Sequence, residues 1–260
     1  MRVRFVVLGV ESLSVPLFLL ILFLVGARRA VPLRFLTMPR FTHLIFDLDG
    51  TLVDTKADLA AATNYVLASF GLPQLSIEQV ADYVGNGARV LIERALGPAN
   101  AGLVSRGFAL FMAYYGAHLL EQTRIYAGIE HLLAAARAQG ITLSVLTNKP
   151  EAPSRAIITG LGLAAYFTAI VGEDTLPTKK PNPQGVIYLQ RLTGIDLHET
   201  LLVGDSRVDC ETGRAAGVTT CGVTWGFGAE DLAALAPQFL VDTPEELCRL
   251  VLSETRNDKR

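Results

Sequence analysis

After residue 40 the apolar residues come in short runs, most of them ending in a polar residue. His43-Leu44-Ile45-Phe46-Asp47 sets the pattern. Thr142-Leu143-Ser144-Val145-Leu146-Thr147, Ala169-Ile170-Val171-Gly172, Leu201-Leu202-Val203-Gly204-Asp205, Thr219-Thr220-Cys221-Gly222-Val223 and Phe239-Leu240-Val241-Asp242 repeat it. Runs of this length with little internal alternation read as strands covered on both faces. Residues 128–139, 152–161, 183–193 and 208–216 show helical spacing between the strands. Strand alternating with helix predicts an α/β fold built on a parallel sheet.

Residues 56–124 break that rhythm, because their pattern is helical throughout. Leu59, Thr63, Val66 and Phe70 recur on one helical face until Gly71 and Pro73 stop it. Ser76-Ile77-Glu78-Gln79 has the form of a capping box, and Phe108, Phe111, Tyr114 and Tyr115 recur at intervals that suit a helical core. The stretch therefore reads as an inserted all-helical domain. The expected division is a core of residues 41–55 and 125–252, the insert of residues 56–124, and a polar tail of residues 253–260.

Residues 1–40 form an apolar extension with a different character. No charge occurs from Ser12 to Ala27, and residues 5–27 come near the length of a bilayer span, although Glu11 and Pro16 interrupt them. Three readings fit: a signal anchor giving membrane contact through residues 5–27, a cleaved signal peptide, or a leader irrelevant to a functional chain that begins near Met38. The cysteines Cys210, Cys221 and Cys248 are odd in number and lack zinc spacing, so a cytoplasmic body is expected.

The formal charge of −2 hides an asymmetry. Residues 1–40 hold six Arg against one Glu, which leaves the body acidic. An acidic body has no electrostatic footprint for nucleic acid. It suits recruitment of a divalent cation, while the oligomeric state stays open.

The candidate chemistry sits at the carboxyl ends of the expected strands, where open parallel sheets bind ligands. Strand ends supply Asp47-Leu48-Asp49-Gly50-Thr51, Thr147-Asn148 and Gly204-Asp205-Ser206-Arg207-Val208-Asp209, and Lys179-Lys180-Pro181 opens a later helix. Carboxylates cannot crowd together without a counter-charge. Oxygen donors without His or Cys favour a hard cation, and Mg²⁺ fits best. With a lysine it would neutralise a phosphate, whose phosphoryl group a carboxylate nucleophile can accept and pass to water. Asp49, two residues along from Asp47, is placed for proton transfer. Gly85-Asn86-Gly87 is read as a turn or as a substrate-facing loop, and Arg89 as a contact for the substrate or as exposed decoration. The four histidines show no metal spacing, and Lys149 and Arg207 read as solvated charges.

Asp47-Leu48-Asp49-Gly50-Thr51-Leu52-Val53-Asp54 resembles the first motif of the haloacid dehalogenase-like hydrolases. Thr147, Lys180 and Gly204-Asp205 with Asp209 follow in the order of that family's remaining motifs. The resemblance implies a Rossmann-like core with a helical cap and a phospho-aspartate mechanism. It assigns Asp47 as nucleophile, Asp49 as general acid and base, and Thr147, Asn148 and Lys180 as phosphate-binding residues. Mg²⁺ would be held by Asp47, the main-chain carbonyl of Asp49, and Asp205, with Asp209 and Thr51 supporting them. Lys179 rivals Lys180, but the Lys180-Pro181-Asn182-Pro183 pattern favours the latter. Asp49 separates the chain from the family's dehalogenases, and Thr51 from its sugar-phosphate mutases. Three segments resemble phosphoglycolate phosphatases: residues 84–96, Thr147-Asn148-Lys149-Pro150 and residues 203–209. The expected activity is hydrolysis of a small-molecule phosphate ester, 2-phosphoglycolate foremost. The alternatives are another small ester or pyrophosphate, phosphoryl transfer to a sugar, and a membrane-tethered binding module.

Overall fold

The computed structural model describes residues 40–253. Its first strand is β1 (His43–Phe46), and β2 (Val53–Asp54) and β3 (Arg124–Ile125) form a separate antiparallel pair. β4 (Thr142–Leu146), β5 (Ala169–Val171), β6 (Thr200–Gly204), β7 (Thr219–Val223) and β8 (Phe239–Val241) join β1 in a six-stranded sheet of order β5-β4-β1-β6-β7-β8. All its neighbouring strands run parallel. The six runs expected from hydrophobicity are its six strands.

Alternate residues of each strand serve opposite layers, as the period of two requires. Leu44 and Phe46 enter one apolar cluster with Leu143, Val145, Leu201 and Val203, while Ile45 enters another with Leu202, Val171 and Leu189. The first cluster is closed by α5 (Ile129–Ala138), through Leu132 and Leu133, and by α10 (Pro244–Leu252), through Leu247. The helices between these are α6 (Glu151–Gly160), α7 (Gln184–Thr193), α8 (Arg207–Ala216) and α9 (Ala229–Leu235). Val186 and Leu189 of α7 and Ala216 of α8 cover the opposite layer. Helix α10 has a local start signal that hydrophobic periodicity misses: Thr243 accepts the Glu246 N–H at 3.2 Å, and Pro244 opens the first turn.

Four α-helices lie between β2 and β3, α1 (Lys56–Ser69), α2 (Ile77–Ala81), α3 (Ala88–Leu96) and α4 (Val104–Ala117), with a short 3₁₀ helix (Pro98–Leu103) before the last. They enclose an apolar cluster that includes Leu59, Val66, Leu91, Ile92, Phe111 and Tyr115. The capping box of α2 is formed, with Ser76 and Gln79 as its partners. Asp58, in the first turn of α1, draws the two ends of this insert together. Its buried carboxylate accepts the N–H groups of Gln122 at 3.0 Å and Thr123 at 2.8 Å, and the Thr123 hydroxyl at 2.7 Å.

No helix among the described residues is long and apolar enough to cross a membrane. The expectations for residues 5–27, and for all of the tail beyond Ser253, lie outside the described residues.

His43 stands apart from the apolar core around it. Its Nε2 is 2.9 Å from Ser144 Oγ, Nδ1 has no partner, and burial lowers its pKa from 6.5 to about 4. A base whose folded pKa is depressed costs nothing above pH 6.5. Below that value the unfolded chain takes up a proton that the folded chain refuses, and stability falls. The loss reaches about 3 kcal/mol once pH drops below both values. Urea unfolding across this range should therefore show His43→Asn losing less stability on acidification than the parent chain, by an amount approaching that figure.

Candidate active site

The parallel register explains how residues far apart in sequence meet. Phe46 pairs with Val145 of β4 on one side and with Val203 of β6 on the other. Asp47, Thr147 and Asp205 therefore all emerge just beyond the carboxyl ends of three adjacent strands. They line one cavity of about 500 Å³ together with Asp49, Asn148 and Lys149. Leu59, Leu91, Phe111 and Tyr115 of the helical insert form an apolar wall of the same cavity.

Asp47, Asp205 and Asp209 are all buried and each offers a carboxylate oxygen within 4.8 Å of the others. Lys180, also buried, bridges two of them, its Nζ lying 2.9 Å from Asp47 Oδ1 and 2.6 Å from Asp209 Oδ1. Burial pushes the Asp47 carboxyl up to about 6, against the pull of Lys180 and with Asp209 adding to the rise. Burial likewise takes Asp205 up to about 7, and here the charges of Asp47 and Asp209 reinforce it. Burial alone would lower the Lys180 ammonium's pKa, but Asp209 and Asp47 outweigh it and hold it above the ordinary lysine value.

Each acid is oriented by specific donors. The Leu48 N–H reaches Asp47 Oδ1 at 2.7 Å. The Thr51 hydroxyl donates to Asp205 Oδ1 at 3.0 Å, and the Phe227 N–H to Asp205 Oδ2 at 2.7 Å. Trp225 fixes the loop after β7 by donating its indole N–H to the Thr51 carbonyl at 3.1 Å. Asp209 Oδ2 accepts both the N–H and the hydroxyl of Ser206, so this acid is occupied in holding Lys180 and the start of α8.

Asp49 points elsewhere. Its carboxylate accepts the Thr55 hydroxyl at 2.7 Å and pairs with Lys149 Nζ at 2.8 and 3.0 Å. Lys149 is only 6% exposed, which corrects the reading of it as a solvated charge. It immediately follows Thr147-Asn148, a position that could have drawn attention to it. Thr55 and the loop at Trp225 were missed too, since a hydroxyl or a glycine-flanked aromatic is an everyday feature of a loop.

The other expected residues divide. Lys180, rather than Lys179, meets the acids; Lys179 Nζ binds Glu173 at 2.9 Å and the Asn86 carbonyl at 3.0 Å. Both amide hydrogens of Asn148 are used, on the carbonyls of Gly85 at 2.9 Å and Lys180 at 3.0 Å. Any phosphate contact from Asn148 therefore falls to its main-chain N–H. Gly85 and Gly87 line the cavity. Arg89 is exposed, donates to Ser105 Oγ at 3.1 Å and lies over the Phe108 ring. It is not among the residues lining the cavity.

Oxygen donors crowded at one buried point, with Lys180 as the one ammonium among the described residues that bridges them, suit a hard divalent cation. Asp47 and Asp205 fit that role, and Asp209 is already committed.

A family model of haloacid dehalogenase-like hydrolases matches residues 44–223, most of the described chain. The chain belongs to the haloacid dehalogenase-like hydrolases. Its relatives include phosphoglycolate phosphatase 1 of Pseudomonas aeruginosa, 39% identical over 218 residues, covering 81% of this chain and 79% of the relative. The phosphoglycolate phosphatase of Neisseria meningitidis is also 39% identical, over 78% of this chain and 90% of its own length. A crystal structure from Haemophilus somnus, described as a predicted phosphoglycolate phosphatase, superposes with a TM-score of 0.78 at 33% identity, covering 82% of this chain and 99% of its own. The chain is thus a hydrolase of this family with phosphatases as its relatives.

Gly50 links the first motif to this geometry. Its φ of +83° lies in the left-handed region, and a Cβ there would overlap the Asp205 carboxylate. Gly50→Ala should cost about 2 kcal/mol in backbone strain alone, readable by urea unfolding, and should displace Asp205.

Proposed function

We propose that this protein is a Mg²⁺-dependent phosphatase acting on a small phosphate monoester, 2-phosphoglycolate foremost, through an aspartyl-phosphate intermediate. The observation carrying this reading is the meeting of Asp47 and Asp205, at the ends of neighbouring strands, with Lys180 from the loop before α7, beside a further carboxylate, Asp49. A cavity of about 500 Å³ suits a small ester, and the relatives named as phosphoglycolate phosphatases support the choice of substrate.

Asp47, Asp205 and the main-chain carbonyl of Asp49 would hold Mg²⁺, which when bound supplies positive charge to the crowded acids and the phosphoryl oxygens. Lys180 and the Thr147 hydroxyl take the remaining phosphoryl charge, and Asp209 keeps Lys180 in place. A carboxylate oxygen of Asp47 attacks phosphorus as the bond to the ester oxygen breaks, and protonated Asp49 gives its proton to the departing alcohol. Asp49 then takes a proton from water. The oxygen of that water attacks the phospho-aspartate, and the bond from phosphorus to Asp47 breaks to release phosphate. The apolar wall of the insert keeps other water away.

The test is phosphate release by the full chain from a panel of small esters, with and without Mg²⁺. Hydrolysis should require the metal, and chelation should abolish it. Asp47→Asn should reduce kcat roughly ten-thousand-fold or more while leaving the circular dichroism spectrum of the fold intact. A folded parent chain that hydrolyses no ester would end this reading. Strong preference for an ester other than 2-phosphoglycolate would end the substrate assignment alone.

A further inference from the structure

We propose that Lys149 sets substrate specificity by receiving a carboxylate that the substrate carries just beyond its ester oxygen. This rests on the phosphatase reading above and names the group on the protein that would make it selective.

The position of the ammonium is the first reason. Among the described residues, Lys149 is the only Lys, Arg or His lining the cavity. Its Nζ sits between the two oxygens of Asp49, at 2.8 and 3.0 Å, and the ring of Tyr115 from the helical insert, 4.6 Å from the centroid. The charge is thereby held where the strand-end acids meet the apolar wall of Leu91, Phe111 and Tyr115.

The direction of the substrate is the second. With phosphorus at Asp47, the ester oxygen faces Asp49, the group that protonates it. Whatever follows that oxygen in a short substrate passes Asp49, and the ammonium is within hydrogen-bond distance of the Asp49 carboxylate. A carboxylate attached through one carbon arrives beside Lys149. An uncharged tail of the same length meets the same surroundings without gaining an ion pair. The apolar side chains of this wall lower the local dielectric and strengthen the pair relative to one at the surface.

The third reason is the cost of the arrangement. A buried ammonium loses hydration, which its partners must offset. Asp49 already has the Thr55 hydroxyl as a donor at 2.7 Å, so holding that acid in place does not by itself call for a lysine. Arg89, the cation that the insert seemed to offer, is turned to Ser105 and Phe108.

The experiment compares kcat/KM for 2-phosphoglycolate and for ethyl phosphate, which has the same carbon skeleton without the carboxylate, in the parent chain, Lys149→Met and Lys149→Arg. The parent chain should favour 2-phosphoglycolate by about a hundredfold or more, because a site built to pair with a charged group rejects the analogue lacking it. In Lys149→Met that ratio should fall by at least about thirtyfold, chiefly through KM for 2-phosphoglycolate. Ethyl phosphate should lose at most about tenfold, reflecting the partner removed from Asp49. Lys149→Arg keeps the charge and should retain most of the preference. Equal losses on both esters, leaving the ratio within about threefold of the parent value, would overturn the proposal and leave Lys149 as a partner of Asp49 only. A parent-chain ratio near one overturns it as well, and that measurement does not depend on either variant folding. Absence of turnover on both esters in the folded parent chain would instead count against the phosphatase reading.

Discussion

Confinement of like charges governs this molecule. Asp47, Asp205 and Asp209 are buried with carboxylate oxygens inside 4.8 Å of one another, and Lys180 is the ammonium that bridges Asp47 to Asp209. Desolvation and mutual repulsion both act against ionisation, which is why Asp47 and Asp205 are pushed above the ordinary carboxylate range. Much of the surrounding structure is explained by what it takes to keep these groups together. The N–H groups of Leu48 and Phe227 and the hydroxyls of Thr51 and Ser206 are aimed at the acids. Gly50 and Gly226 leave space that a side chain would take from Asp205.

The first motif supplies two carboxylates with separate environments. Asp47 faces Lys180 and the other strand-end acids, whereas Asp49 faces Lys149 and Thr55. Two residues of spacing suffice because the chain turns at Gly50 directly after β1, closing with the Gly50 N–H on the Val53 carbonyl at 2.9 Å. In the proposed mechanism this division gives the site one carboxylate for phosphorus and one for protons. It also brings Asp49 against Thr55, the residue that precedes the first helix of the insert.

The insert contributes more than an apolar wall. Its loop of Gly85-Asn86-Gly87 is docked on the core through main-chain carbonyls, Gly85 to Asn148 and Asn86 to Lys179. Gly87, at φ +91°, approaches the Asn148 carbonyl and Lys179 so closely that a Cβ would lie 3.2 Å from the first and 2.8 Å from the second. Asn148 consequently joins three parts of the molecule: the end of β4, the insert loop and the backbone at Lys180.

Much of this was legible along the chain. Apolar runs ending in Asp47, Thr147 and Asp205 marked the strands and the end of the sheet where the cavity lies, because burial on both faces and the open end of a parallel sheet leave a local signature. The helical spacing after residue 56 announced the helices found between Lys56 and Ala117, because a buried helical face leaves its own period, although Arg124 belongs to β3; the Ser76 capping box needed only its four residues. Helix α9 and the two-residue strands β2 and β3 left no such trace, since their patterns are too short to show a period. Partnerships across long sequence distances that no motif marks could not be read. That Lys149 is buried on Asp49, that Arg89 turns to Phe108, and that Trp225 braces the loop behind Asp205 are outcomes of register and packing. Residue type and spacing determined which chemistry was available; the three-dimensional meeting of strand ends and insert decided which charges face one another, because a charge's partner depends on distance in space and not on distance along the chain.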